Sequence, residues 1–127
     1  MAKYAHADVL DGGLNAIKNN AIRMLLIKAY TAGDNYATVT GNAICTVTVA
    51  SADFTLSGAD GAARVCTIGA KTGTASAGSG VGPDLHIAFT DNVSKVLFVT
   101  NETSDQVVTT GNTVNFPSLT YTSGQPA

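Results

Sequence analysis

Residues 85–122 read LHIAFTDNVSKVLFVTNETSDQVVTTGNTVNFPSLTYT, and this stretch decides the fold class. Leu85, Ile87 and Phe89 alternate with His86 and other small or polar residues, which is the period-two pattern of a half-buried strand. Residues 96–100 are apolar on both faces and therefore predict a second strand at the centre of a sheet. The first half of the stretch thus predicts a hairpin in a β-rich domain.

The second half of the stretch predicts another hairpin, formed by residues 106–109 and 113–116. The turn between them contains Gly111, which adopts a positive φ at little cost. We expect seven side chains of these four strands to be buried: Leu85, Ile87, Val96, Phe98, Val99, Val114 and Phe116.

The chain has 127 residues, enough for one domain with a substantial core. Only 13% of the residues are charged, about half the usual share. The 17 threonines and 13 glycines indicate pleated surfaces and frequent turns. A surface of hydroxyl groups with few ions costs little to desolvate, which suits a protein that packs against others, although threonine-rich faces are common on β proteins in general.

The charge distribution argues against two classes of partner. The seven lysines and arginines are scattered, the net charge is −2, and no basic stripe is visible. We therefore expect neither nucleic acid nor an anionic membrane as a partner. The N-terminus lacks the apolar segment of a secretion signal, so we expect synthesis and folding in a cytoplasm.

Residues 8–19 are predicted to form the only helix. Asp8 is a candidate N-cap, and two glycines, at positions 12 and 13, each cost about 1 kcal/mol in a helix interior. The helix therefore needs to dock in order to form. Its apolar stripe consists of Leu10, Leu14 and Ile17.

The middle of the chain predicts further strands. Residues 21–30 read as a buried strand, with a continuation of the helix as the alternative, and residues 36–40 read as a short strand or loop. Residues 71–83 are small, neutral and rich in glycine and serine, and predict a flexible loop. Three more strands are predicted at residues 43–50, 54–56 and 63–70.

Together these elements predict an all-β sandwich or barrel of about eight mostly antiparallel strands with one short N-terminal helix. We expect a single domain over residues 1–127, with an N-terminal arm and helix at residues 1–20 and a β domain at residues 21–127.

No arrangement of residues predicts catalysis or metal binding. His6 and His86 have no ligand or triad partner at a recognised spacing, and we expect His86 to be exposed. Cys45 and Cys66 lie within apolar strands and are expected to be buried free thiols; a cross-strand disulfide is the alternative, which a reducing cytoplasm disfavours. We therefore expect no enzymatic activity, no catalytic residue, no cofactor and no metal.

Segments near both ends of the chain carry a further pattern. They are MAKY at residues 1–4, VLD at 9–11, Leu14, IKNNA at 17–21, Arg23, LFVT at 97–100 and GNTVNFP at 111–117. In these segments the chain resembles small virion structural proteins of tailed bacteriophages, a group whose members are usually accessory head components. The resemblance implies a capsid decoration, or cement, protein that stabilises the head, located in the virion, with the major capsid protein or other virion proteins as partners. It assigns no functional residue.

Two alternatives remain open at this point. A tail or head–tail connector component belongs to the same broad class of virion proteins. A carbohydrate-binding module belongs to a different class and would use the tyrosines as amphipathic anchors. These are Tyr4, Tyr30, Tyr36 and Tyr121.

We expect two segments to contact the partner: the N-terminal arm, free to reach outward, and the glycine-rich loop. The predicted interface residues are Ala2, Lys3, Tyr4, His6, Gly78, Gly80 and Val81. We also expect a homo-oligomer, with a trimer favoured, in which subunits meet through strand faces or the loop. An accessory protein that binds a repeated site gains most from linking several subunits.

Overall fold

The structure, a computed structural model, describes residues 2–101 and 106–126. This part of the chain forms nine strands in three antiparallel sheets. The helices are α1 (Ala7–Asn20), α2 (Tyr36–Gly41) and a short 3₁₀ helix (Ser51–Asp53). The strands are β1 (Arg23–Ile27), β2 (Ala43–Thr48), β3 (Phe54–Ser57), β4 (Arg64–Ile68), β5 (Lys71–Thr74), β6 (His86–Thr90), β7 (Val96–Asn101), β8 (Thr113–Phe116) and β9 (Leu119–Ser123).

The strands form a sandwich-like arrangement, which confirms the predicted fold class with nine strands where about eight were expected. Sheet A has the order β2-β1-β6-β7, sheet B the order β3-β4-β9, and sheet C pairs β5 with β8. Sheets A and B face each other, since Phe89 on β6 meets Phe54 on β3, and Phe98 on β7 meets Tyr121 on β9.

One large core lies between sheets A and B and includes Leu14 and Ile17 of α1. A smaller cluster on the opposite side of sheet A joins Leu25 and Ile27 to Val39 of α2. Strand β1 supplies both clusters because its successive side chains point to opposite faces. This explains its continuous apolar sequence and confirms the buried strand predicted there.

Helix α1 forms where it was predicted, but a different residue caps it. The cap is His6, whose Nδ1 accepts a hydrogen bond from the Asp8 amide at 3.1 Å, so the expected Asp8 cap is wrong. Leu14 is fully buried, and the other two residues of the stripe are less than a tenth exposed. Docking of this stripe offsets the cost of the two helical glycines.

Helix α2 occupies a segment that was predicted to be a strand or loop, so that prediction is wrong. The Asn35 side chain caps the helix by accepting a hydrogen bond from the Thr38 amide at 2.9 Å. Val39 is fully buried against sheet A. Capping and docking together override the β preference of the Tyr, Thr and Val residues in this segment.

Strand β7 was predicted to be central but lies at the edge of sheet A. Val96, Phe98 and Val99 are accordingly half-buried rather than buried, whereas the other four side chains expected in the core are buried. An apolar pattern on both faces shows that both faces are contacted, but it does not require a strand on each side. Here Phe98 packs into the main core, and the two valines pack against the smaller cluster.

Strand β8 pairs with β5 rather than with residues 106–109, which form no strand. The predicted second hairpin is therefore wrong, although Gly111 has the expected positive φ, 91°. The partner strand β5 lies within the segment predicted to be a flexible loop, so that prediction is also wrong for residues 71–74. Pairing between segments about 40 residues apart leaves no local pattern for sequence reasoning to detect.

Candidate functional site

The N-terminal arm is held against the β domain at two points. The expectation that the arm is free is therefore wrong. The Tyr4 hydroxyl donates to both carboxylate oxygens of Asp60, at 2.8 and 2.7 Å, and the Ala7 amide donates to the same carboxylate at 3.0 Å. The Gln125 side chain accepts from the Ala5 amide at 2.8 Å and donates to the Ala5 carbonyl at 3.0 Å.

The electrostatics of this contact follow from the hydrogen bonds. Donation by the Tyr4 hydroxyl, supported by the Ala7 amide, holds the pKa of Asp60 below its usual range. The same hydrogen bond raises the pKa of Tyr4. Both groups therefore stay in the states that bind each other at neutral pH: Asp60 ionised and Tyr4 protonated. The pair is suited to holding the arm in place rather than to moving protons.

The glycine-rich segment is also largely held in place. After β5, the Ala75 amide donates to the Asn112 carbonyl at 2.8 Å. Further along, the Ser79 amide donates to the Val108 carbonyl at 2.9 Å, and the Ser79 hydroxyl accepts from the Val108 amide at 2.8 Å. Only the tip that follows Ser79 projects beyond these contacts.

The tip presents a single apolar side chain, Val81, which is 99% exposed. It is flanked by Gly80 and Gly82, whose φ values of 75° and 64° disfavour other residues. Gly78 lies against the Val108 carbonyl. The structure thus holds the two predicted interface segments on different parts of the β domain, with Ala2, Lys3, Tyr4 and His6 exposed in one and Gly78, Gly80 and Val81 in the other.

The cysteines and His86 pack against other side chains of the fold. Cys45 and Cys66 are both buried in the main core as free thiols, as predicted, and burial raises the pKa of each. His86 is half-buried rather than exposed, and its ring centroid lies 5.6 Å from that of Tyr30. In residues 2–101 and 106–126, no group of three or more His, Cys, Asp or Glu side chains is placed to hold a metal ion.

A pocket of about 370 Å³ lies beside strand β8. Residues 106–108 and 112–117 line it, together with Leu26 and Leu85. None of these side chains is titratable. The pocket therefore offers a ligand neither a general base nor a charged group.

The outer face of sheet B is a surface of threonine, serine and valine side chains, which we call the threonine face. Its members follow from the register, in which Thr55, Thr67 and Thr120 form one row and Ser57, Val65 and Thr122 the next. Val65 and Thr67 lie on the central strand yet are only half-buried, so no described part of the chain covers this face. Sequence reasoning missed the threonine face because its residues come from three strands whose pairing was not predicted.

No helix in the described ranges is long and apolar enough to cross a membrane. Comparisons of the chain with protein-family models, with curated proteins and with solved structures found no match.

Proposed function

We propose that this protein is a structural component of a tailed-phage virion, and that it decorates and stabilises the head. The observation that carries the proposal is the threonine face, an uncharged and uncovered sheet surface in a chain with few charges. The resemblance of the chain ends to virion proteins is the reason for proposing a phage particle as the place where the protein acts. The proposed role is binding rather than catalysis.

The threonine face is inexpensive to bury against another protein. It carries no charge, so no ion has to be desolvated on contact. Its short side chains lose less rotamer freedom than lysine or glutamate would. The hydroxyl groups donate and accept hydrogen bonds, and Val65 adds an apolar centre. Such a face fits a neutral surface of the major capsid protein or another virion protein.

Two smaller features give the partner further points of contact. The arm around Tyr4 and the tip at Val81 are both exposed, and hydrogen bonds hold the segments that carry them. Segments that are already ordered lose less entropy on binding. This supports the interface residues predicted from the sequence as secondary contacts.

Repetition of the site on a particle compensates for a weak single contact. One patch of a domain this size buries about 800 Å² per partner in a standard interface. Linking subunits that bind neighbouring copies of the site strengthens binding by about 10²–10⁴-fold. We therefore propose that the protein acts on the head as a homo-oligomer.

A tail or connector protein would use the same surfaces. The position of the chain in a density map of the intact particle distinguishes these roles from decoration of the head.

No observation favours a carbohydrate-binding module. Tyr4 bonds to Asp60, Tyr30 packs on His86, and Tyr121 packs on Phe98, so these rings belong to separate contacts.

The proposal is tested by binding to phage heads that lack this protein, with Thr67→Lys as the variant and Thr113→Lys as the control. Thr67 lies at the centre of the threonine face, whereas Thr113 is an exposed threonine on sheet C. Burying an unpaired charge should weaken the binding of Thr67→Lys to heads by about tenfold or more in a co-sedimentation titration. The control should bind like the parent protein.

Circular dichroism first establishes that both variants are folded. Equal binding of Thr67→Lys and the parent would remove the threonine face from the interface. Failure of the parent itself to bind heads would refute the decoration role.

A further inference from the structure

Two aspartates in the sequence are followed directly by glycine, in the pairs Asp11-Gly12 and Asp60-Gly61. The backbone amide that follows an aspartate is a nucleophile within reach of that residue's own carboxyl group, and glycine has no side chain to hinder the approach. The two pairs have opposite surroundings. Asp11 lies within α1, whereas Asp60 lies in the turn between β3 and β4.

The turn at Asp60 exposes the carboxyl group and holds the following amide against it. Residues 57–62 are all exposed, and the Asp60 side chain is 52% exposed. The Ala62 amide donates to the Ala59 carbonyl at 3.1 Å and closes a turn in which Gly61 has a φ of 85°. This bond does not use the Gly61 amide, which donates to the Asp60 carboxylate instead. The amide nitrogen and its neighbour's carboxyl group are therefore in contact.

Helix α1 protects Asp11 from the same approach. An amide within a helix donates to the carbonyl four residues earlier, so the Gly12 amide is committed to the carbonyl of Asp8. The Asp11 carboxylate binds Nε of Arg64 at 2.8 Å, and its side chain is only 15% exposed. An attack by the Gly12 amide would require a backbone rotation that breaks the helix.

We propose that Asp60 is a site of spontaneous isomerisation to isoaspartate, and that this modification loosens the N-terminal arm. The Gly61 nitrogen attacks Cγ of the protonated Asp60 side chain, and the carboxyl OH leaves with the amide proton as water. The product is a cyclic succinimide, to which water then adds. Cleavage between nitrogen and Cγ restores aspartate, whereas cleavage between nitrogen and the backbone carbonyl carbon gives isoaspartate. The composition is unchanged, and the only co-reactant is water.

Isoaspartate lacks the group that anchors the arm. In the unmodified protein, both carboxylate oxygens of Asp60 accept from the Tyr4 hydroxyl, and one also accepts from the Ala7 amide. After isomerisation, Cγ belongs to the main chain as an uncharged carbonyl, and the carboxylate lies directly on Cα. The charge-assisted hydrogen bonds to the arm are therefore lost. The contact between Ala5 and Gln125 remains.

Incubation of the folded protein for several weeks at about pH 5 tests the modification, because more of a carboxyl group is protonated there than at neutral pH. Peptide mapping with electron-transfer fragmentation distinguishes isoaspartate from aspartate at each position. Isoaspartate should accumulate at position 60 faster than at position 11 by about tenfold or more. The intact mass should stay at 12.9 kDa.

A pair of conservative variants identifies the reacting group. Asp60→Glu keeps a carboxylate, but its side chain has to close a larger ring, which forms much more slowly, so position 60 should stay unmodified. Asp84→Glu is the control because it makes the same change at another exposed aspartate. It should accumulate isoaspartate at position 60 at the rate of the parent protein.

Hydrogen exchange on fresh and incubated protein tests the effect on the arm. Protection of the Ala7 amide, which donates to Asp60, should fall in proportion to the isoaspartate content. Protection of the Ala75 amide, which donates to the Asn112 carbonyl at 2.8 Å, should stay constant.

The proposal is overturned if position 60 forms no more isoaspartate than position 11, or if the isomerised protein keeps full protection at Ala7. It is also overturned if Asp60→Glu loses protection at Ala7 during incubation as fast as the parent does. None of these readouts uses phage heads. Failure here therefore leaves the decoration role standing, and failure of head binding leaves the modification site standing.

Discussion

Four aromatic side chains link the two sheets of the sandwich at the scale of single residues. Phe54, Phe89, Phe98 and Tyr121 follow one another with centroid separations of 6.0, 4.5 and 5.3 Å. Phe89 is fully buried in the middle of this chain, whereas Phe98 is half-buried at the edge of sheet A. The two residues pair directly across strands β6 and β7, but their side chains differ in the fraction that is exposed to water.

This difference predicts unequal effects of truncation. Phe89→Ala should lower the free energy of unfolding by about 3–5 kcal/mol, because it leaves a closed cavity between the sheets. Phe98→Ala should cost about half as much, since water already reaches part of that side chain. Urea denaturation of both variants measures the two values. A larger loss for Phe98→Ala would mean that β7 is buried more deeply than an edge strand.

Two elements use glycine for different reasons. In α1, Gly12 and Gly13 have no atom within 4 Å of the position of an added Cβ. In β5, a Cβ on Gly73 would lie 2.6 Å from Cγ1 of Val47 and 2.8 Å from Sγ of Cys45. Among the described residues, none therefore packs closely against the two helical glycines, whereas Gly73 lets sheet C approach β2 closely.

Alanine substitution should separate these two uses. Gly12→Ala should stabilise the protein by about 0.5–1 kcal/mol, because alanine loses less backbone entropy in a helix. Gly73→Ala should destabilise it by about 1–3 kcal/mol through overpacking. Thermal and urea unfolding, followed by circular dichroism, measure both changes. Stabilisation by Gly73→Ala would show that sheet C is packed more loosely against β2.

At the scale of the whole molecule, hydrogen bonds bring the two ends of the chain together. Gln125 bonds to the backbone of Ala5 and to the Ala62 carbonyl, and Asp60 holds Tyr4. The arm, the turn between β3 and β4, and the C-terminal segment therefore form one contact. The arm is a part of the fold that also remains exposed.

The Tyr4–Asp60 contact predicts how stability depends on pH. The folded state lowers the pKa of Asp60, so its contribution is complete above the unfolded value of about 3.9 and is lost as the pH falls through the folded value. Tyr4→Phe removes the main cause of this shift. The parent should therefore melt at a higher temperature than Tyr4→Phe at pH 7, and the difference should shrink below about pH 4.

Melting temperatures measured between about pH 7 and pH 2 test this, with Tyr36→Phe in α2 as the control. A Tyr4→Phe difference that stays constant over the whole range would show that the hydrogen bond contributes nothing that depends on Asp60 ionisation.

The sequence by itself determined the features that depend on neighbouring residues. Periodicity located α1 and β6, a run of residues apolar on both faces located β1, and residue types predicted the positive φ of Gly111 and the buried thiols, because side chains a few positions apart report which face of an element is buried. Local composition predicted a loop over residues 71–83, which is right at the exposed Val81 and wrong at residues 71–74, where β5 forms.

Only the tertiary structure decided the features that join distant segments. It placed β7 at an edge, paired β5 with β8, assembled the threonine face and tied the arm to Asp60 and Gln125. The residues in the arm contacts are 56 and 120 positions apart, and strand partners are likewise chosen by the packing of the whole core. A local pattern records that a residue is covered, but not which part of the chain covers it.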